Sequence, residues 1–186
     1  MVTDNFIKTM VNPKYKLIDF LKADAEKYLH VPNPSIIKAY WKRDMFKYIF
    51  WLRLVHFLKM RTWTKYLFAP IPVLILEHLS YKYGIFVDSN IQIGPGLKII
   101  HGGCLYINAN YIGSNFTVYQ GVTLGATPGK GVPSVGDGVS VYAGAKVIGE
   151  IHLGDGCQIA ANAVVTKDAP SNSIMMGIPA KPYENK

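Results

Sequence analysis

The chain of 186 residues is 49% apolar and 17% charged, enough for one large or two small folded domains and too apolar for a disordered chain. Two cysteines, Cys104 and Cys157, are too few for a disulfide framework and lack metal-ligand spacing. The net charge of +8 is lopsided, because residues 1–84 hold 14 Lys and Arg against 6 Asp and Glu while residues 85–186 hold 6 of each. That asymmetry predicts two modules, the first facing an anionic partner such as a membrane surface or a phosphorylated substrate.

The opening MVTDNFIKTM has no basic start followed by an apolar stretch, so no signal peptide is expected and both thiols are read as reduced in a cytoplasmic protein. Residues 1–84 read as helical. Asn12-Pro13 and Asn33-Pro34 each set a capping residue before a proline suited to a first helical turn. Helical spacing runs through Leu17, Ile18, Leu21, Tyr28 and Leu29, and again from Pro34 through Ile36, Ile37, Tyr40 and Trp41. FKYIFWLRLVHFLKM is apolar nearly all round, apart from Lys47, Arg53 and Lys59. KYLFAPIPVLILEHLSYKYG carries two prolines that should break or kink it. No segment reaches 18 uninterrupted apolar residues, so no membrane span is predicted. The plain reading is a helical packing domain. A basic, aromatic-rich region lying on the inner face of a membrane is the sharper alternative.

From residue 85 the period changes. An aliphatic residue recurs every six positions: Val87, Ile93, Ile99, Leu105, then Ile112, Val118, Leu124, then Val135, Val141, Val147, Leu153, Ile159 and Val165. One extra residue precedes Ile112, and five lie between Leu124 and Val135. Small or apolar residues follow four positions on, at Val122, Val139, Ala145, Cys157, Ala163 and Ala169. A period of six is neither helical nor simple strand alternation. It predicts a hexapeptide β-helix in which each hexad is a short strand and a turn, and three hexads make a coil. Aliphatic residues stack inward, Cys157 fills the core, and the five extra residues around Thr127–Val132 must leave the coil as an extruded loop.

Those hexads, the VTLGATPGKGVPSVGDGV loop and the closing GIPAKP resemble the left-handed hexapeptide acyltransferases. Within that group, IGPGLKIIHGG followed by VYQGVTLG is similar to the serine acetyltransferase family, and closest to its polysaccharide-biosynthesis branch. The resemblance implies a mainly β chain: a left-handed parallel β-helix over residues 85–186 behind a basic α-helical N-terminal region over residues 1–84.

The resemblance also implies acetyl-CoA as co-substrate and His101 as general base. A histidine, whose unperturbed pKa lies near 6.5, is suited to deprotonate an alcohol attacking a thioester. Asp88 is the weak candidate for orienting it. Carried over by position, Gly125, Ala126 and Thr127 flank the thioester, Ala143, Gly144 and Ala161 line the pantetheine arm, and Lys167 and Lys181 meet the CoA phosphates. A metal site is not expected: His101 and His152 are the only histidines of the repeat half, on different faces and about two coils apart. His30, His56 and His78 read as structural.

The acceptor is less like the parent family's. Where cysteine-pathway serine acetyltransferases carry an aspartate before the histidine, this chain has Ile100, and Gly131-Val132 stand where they have an Arg-His pair. The sequence also ends at Lys186 without the tail by which those enzymes dock their synthase. Free serine is therefore the alternative acceptor, and a sugar hydroxyl of a bacterial surface polysaccharide or its precursor the favoured one. Asn108, Asn110, Tyr119 and Gln120 are its candidate hydrogen-bonding partners. Expected partners are a homotrimer, with a dimer of trimers as the larger alternative, a carbohydrate or small-molecule acceptor, peripheral contact with a membrane, and no nucleic acid.

Overall fold

The computed structural model describes residues 16–60 and 69–183. Four helices precede the repeat: α1 (Leu17–Leu29), α2 (Ile36–Lys42), α3 (Asp44–Lys59) and α4 (Pro70–Tyr83). Helix α1 opens with the Asp19 carboxylate accepting from the Lys16 backbone N–H at 2.9 Å. It buries Leu21, Asp24, Ala25 and Tyr28, a stripe at helical spacing with an acid in its middle. Helix α3 packs against the other three and buries Phe46, Tyr48, Ile49, Leu52, Arg53 and Val55.

Two expectations about helix ends are corrected. Asn33 does not cap α2; it adopts a left-handed backbone, and Ser35 caps instead, accepting from Lys38 N. Pro70 and Pro72 do not break the last helix. They occupy the first turn of α4, where a proline removes no intrahelical hydrogen bond. Pro13 lies outside the described residues.

The remaining chain forms fifteen strands among the described residues, β1–β15 in chain order, wound as a parallel β-helix. One sheet stacks β1 (Ile85–Val87), β4 (Leu105–Ile107), β7 (Thr123–Gly125), β10 (Lys146–Ile148) and β13 (Val164–Val165). A second stacks β2 (Gln92–Ile93), β5 (Tyr111–Ile112), β8 (Ser134–Val135) and β11 (His152–Leu153). The third holds β3 (Lys98–Ile99), β6 (Thr117–Val118), β9 (Ser140–Val141), β12 (Gln158–Ile159), β14 (Ile174–Gly177) and β15 (Ala180–Pro182). Pairing is parallel throughout except for β14 with β15, a hairpin that closes the C-terminal end. Every third hexad therefore returns to the same sheet, as the six-residue period requires. Inside the prism, Ile112, Val118, Leu124, Val135, Val141, Val147, Leu153 and Ile159 are fully buried, each contributing about 1.5–3 kcal/mol relative to an exposed side chain. Cys157 sits among them, and burial pushes its thiol up to about 12.

Glycine follows the inward residue at one corner for a steric reason. Gly94, Gly113, Gly136 and Gly154 stack directly, and a Cβ on Gly94 would lie 2.6 Å from the Ser114 amide nitrogen.

The repeat is phased differently at one point. The register pairs Val87 with Ile107 and Ile107 with Leu124, so Ile107 occupies the aliphatic column, and Leu105 pairs with Ile85 instead. Eight residues thus separate Ile99 from Ile107, two more than the repeat. Both residues fall beside His101.

Among the described residues no strand pairs with the first coil from below, and the helices supply its missing partners. Arg53 and Asp24 form a buried two-pronged ion pair at 2.8 and 3.0 Å. Arg53 also donates to the carbonyls of Ile93 and Gly94, while Asp24 accepts from the Leu97 N–H at 2.7 Å. The Tyr28 hydroxyl donates to Ile99 O at 2.6 Å and accepts from Ile99 N at 2.9 Å. An Asp24→Ala change strands Arg53 as a buried unpaired charge and frees the Leu97 amide. Denaturant unfolding should show a loss of about 3–5 kcal/mol, far above an ordinary surface substitution.

Candidate active site

His101 lies at the corner between the third and first sheets. In later coils this corner is built alike: Gly144 N donates to Gln120 O, and Asn162 N to Ala143 O. In the first coil the matching acceptor is Gly103 O, which receives Gly121 N at 2.8 Å. Ile100 N meanwhile keeps the regular bond to Val118 O. The two residues in excess are therefore His101 and Gly102, a bulge that carries the imidazole out of the coil and leaves it exposed. The bulge rests on the end of α4. Gly103 N donates to Tyr83 O at 2.7 Å, and a Cβ on Gly102 would lie 2.6 Å from that same oxygen.

Above the bulge, Gln120, Ala143 and Ala161 stand in one column, with Gly144 beside them in a left-handed conformation. Among the described residues no group donates to the buried Gln120 side-chain oxygen, which leaves it open as an acceptor at this corner. The neighbouring column holds Ile100, Tyr119 and Tyr142, and the two tyrosine rings stack at 5.2 Å.

The other predicted residues occupy a different corner, between the first and second sheets. Asp88 and Asn108 follow β1 and β4 there, in register with Gly125 at the end of β7. The chain then leaves the coil as residues 126–133, the extruded loop, with Ala126 exposed and Thr127 half-buried. Asp88 does not reach His101; its carboxylate accepts from the backbone and side-chain N–H groups of Asn90, both at 2.9 Å. The Asn110 amide is likewise occupied, donating to Val132 O at 3.0 Å and anchoring the loop. Lys167 is exposed at this corner in the last coil, and Lys181 is exposed on β15. Five residues, roughly 16 Å of strand, separate the two corners. One chain does not bring these groups together.

Between the helices and the first coil lies a cleft of about 520 Å³ that opens beside His101. Tyr28 and His30 line it from the end of α1, Lys42, Arg43, Asp44 and Met45 from the α2–α3 junction, and Lys98, Ile100 and Gly102 from the coil. The helical side of this cleft was not legible as a site in the sequence. Its only local signal is the charged WKRD break between two apolar helical runs. His152 stands on the second sheet and His101 beside the third, nearly three coils apart, and no metal-binding cluster occurs among the described residues.

Residues 133–167 match the bacterial transferase hexapeptide family model of six repeats. A serine acetyltransferase of Staphylococcus xylosus is 44% identical over 110 residues, 57% of this chain and 51% of that protein. One of Helicobacter pylori strain J99 is 46% identical over 102 residues, 53% of this chain and 60% of that protein. Over its hexapeptide repeat the chain is similar to these serine acetyltransferases. It spans a little over half the length of the curated relatives it matches. These relatives point to the serine acetyltransferases rather than to a polysaccharide-biosynthesis branch. Among solved structures, a serine acetyltransferase complexed with CoA superposes with a TM-score of 0.75 over 96% of this chain and 74% of its own, at 23% identity. The serine acetyltransferase of Brucella abortus strain S19 superposes with a TM-score of 0.75 over 96% of this chain and 73% of its own, at 26% identity. Both likenesses extend over the helical region as well as the β-helix.

Because the bulge leans on α4 through Gly102, a Gly102→Ala change should force the corner and helix apart. We expect about 1–3 kcal/mol of destabilisation in thermal or denaturant unfolding. Gly125, whose φ is ordinary and whose added Cβ would meet only side-chain atoms at 3.8 and 3.9 Å, serves as the control position.

Proposed function

We propose that this chain is an acetyl-CoA-dependent O-acetyltransferase with His101 as its general base. The observation that carries the reading is the placement of His101: exposed on a bulge, at the mouth of a small-molecule-sized cleft and below the column of Gln120, Ala143 and Ala161. The relatives' activity and the CoA complex of one structural neighbour support it.

His101 takes the proton of an acceptor hydroxyl as its oxygen attacks the acetyl carbonyl carbon. When the carbon–sulfur bond breaks, the imidazolium returns that proton to the departing sulfur, leaving an acetyl ester and a free thiol. Gln120, with its open side-chain oxygen, accepts from the imidazole N–H or from the acceptor. Ala143, Gly144 and Ala161 leave room for an extended pantetheine arm against the backbone. Gly125–Thr127 belong to the same site only when a second copy presents its loop corner to the first copy's His101 corner. The complete enzyme is therefore a closed ring of three chains.

L-serine is the acceptor that the relatives support. A sugar hydroxyl is the second reading, favoured by Ile100, whose aliphatic side chain lines the cleft directly before the base and offers no charge to an amino group.

Acetyl transfer should fall by about 10²–10⁴-fold in His101→Ala while CoA affinity stays within a few-fold. An unchanged rate would remove His101 from the mechanism, and a screen of L-serine against sugars and sugar phosphates would sort the acceptors. Sedimentation of the full chain should report a trimer; an active monomer would contradict the shared site.

A further inference from the structure

The cleft beside His101 carries a charge pattern that a general base does not need. Lys42 and Arg43 come from the α2–α3 junction and Lys98 from β3, so cations reach it from two sides. Among the described residues none of the three forms an ion pair. Asp44 is the one acid on the cleft wall, and it is already held by Lys47 at 2.8 Å. The Lys98 ammonium lies 3.5 Å from the His30 ring nitrogen and 5.9 Å from the centre of the Tyr28 ring. Partial burial, then the charges of Lys27 and Arg43, hold its pKa below the usual lysine value. These groups repel one another, and an anion between them relieves the repulsion.

We propose that the acceptor carries a phosphate group, held in this cleft by Lys42, Arg43 and Lys98 while its hydroxyl is presented to His101. This deepens the O-acetyltransferase reading and rests on it. A phosphate suits the site better than an amino acid's carboxylate for a stoichiometric reason. A zwitterion brings an ammonium group that needs an acid, and the cleft sets three cations against Asp44 alone, with Ile100 aliphatic. A dianion with three outward oxygens instead uses one guanidinium and two ammonium groups together. The volume of about 520 Å³ lies within the range of small-molecule pockets and accommodates a sugar phosphate or a phosphorylated polyol. The phosphate is untouched by the reaction. The hydroxyl oxygen gains the acetyl group, its proton passes through His101 to sulfur, and the products are the phosphorylated acetyl ester and the CoA thiol.

The same chemistry could come from the phosphates of CoA, so the test separates the two sources. Calorimetric titration of the full chain with inorganic pyrophosphate should show binding that Lys42→Ala and Arg43→Ala each weaken by about tenfold or more. Arg43→Lys should restore part of it. CoA affinity should change less than twofold in the same variants. Both side chains are exposed, and circular dichroism melts verify that the variants fold. No pyrophosphate binding, or binding indifferent to both residues, would overturn the proposal. An equal loss of CoA affinity would reassign the cations to CoA and overturn it too. In transfer assays glucose 1-phosphate should exceed glucose in kcat/KM by at least tenfold, and Arg43→Ala should erase that preference. Pyrophosphate binding that depends on Lys42 and Arg43, without transfer to any acceptor, would leave an anion site but end both the acceptor role and the transferase reading.

Discussion

The rest of the structure depends on the buried ion pair between Asp24 and Arg53, because it closes an edge. A parallel β-helix satisfies the backbone of each coil with the coils above and below, and among the described residues no strand pairs with the first coil from below. Left open, that edge is a row of unpaired amides and carbonyls, a template for further strands. Arg53 takes two carbonyls, Asp24 one amide, and Tyr28 both groups of Ile99, so three side chains from two helices stand in for a missing strand. Two charges in a low-dielectric interior are expensive on their own, and these are tolerable because nearly every arm is engaged. Terminal repeats of solenoids need such covers; here the cover is a helical region rather than a polar repeat.

This cover also creates the site. The helices meet the coil edge-on, leaving a gap between the α2–α3 junction and β3, and the His101 bulge opens onto that gap. Two residues beyond the six-residue period cannot be absorbed by a close-packed corner, so they are expelled outward and braced on the end of α4. His101 is thus placed by a local failure of the repeat. The fold keeps a rigid prism and confines irregularity to the corner bulge and the extruded loop, which is where a scaffold of this kind can carry chemistry without loosening its core.

The division of the predicted residues between two corners has the same origin. A three-sided prism sends consecutive hexads to different faces, so residues close in sequence, such as Gln120 and Gly125, end up on opposite edges of one sheet. A groove that uses both edges needs two prisms side by side. Similarity to serine acetyltransferases over the repeat speaks for the shared scaffold, while one wall of the cleft is built by helical residues outside that repeat.

By itself the sequence determined the solenoid. A period of six is a nearest-neighbour property, repeated often enough to be read without any long-range contact, and it fixed the three-strand coil, the aliphatic interior, the burial of Cys157 and the extruded loop. The histidine motif was legible for the same reason, as a short run with a characteristic spacing. The phase error at Leu105 shows the limit: either Leu105 or Ile107 satisfies a local pattern, and only pairing with Leu124 in the next coil decides between them. The ion pair, the tyrosine clamp and the cleft were decided by tertiary structure. Asp24 meets Arg53 across 29 residues and Leu97 across 73, and Lys42, Lys98 and His101 converge from elements with different periods. Such contacts leave no periodic trace, because each is made once, where two unlike modules pack.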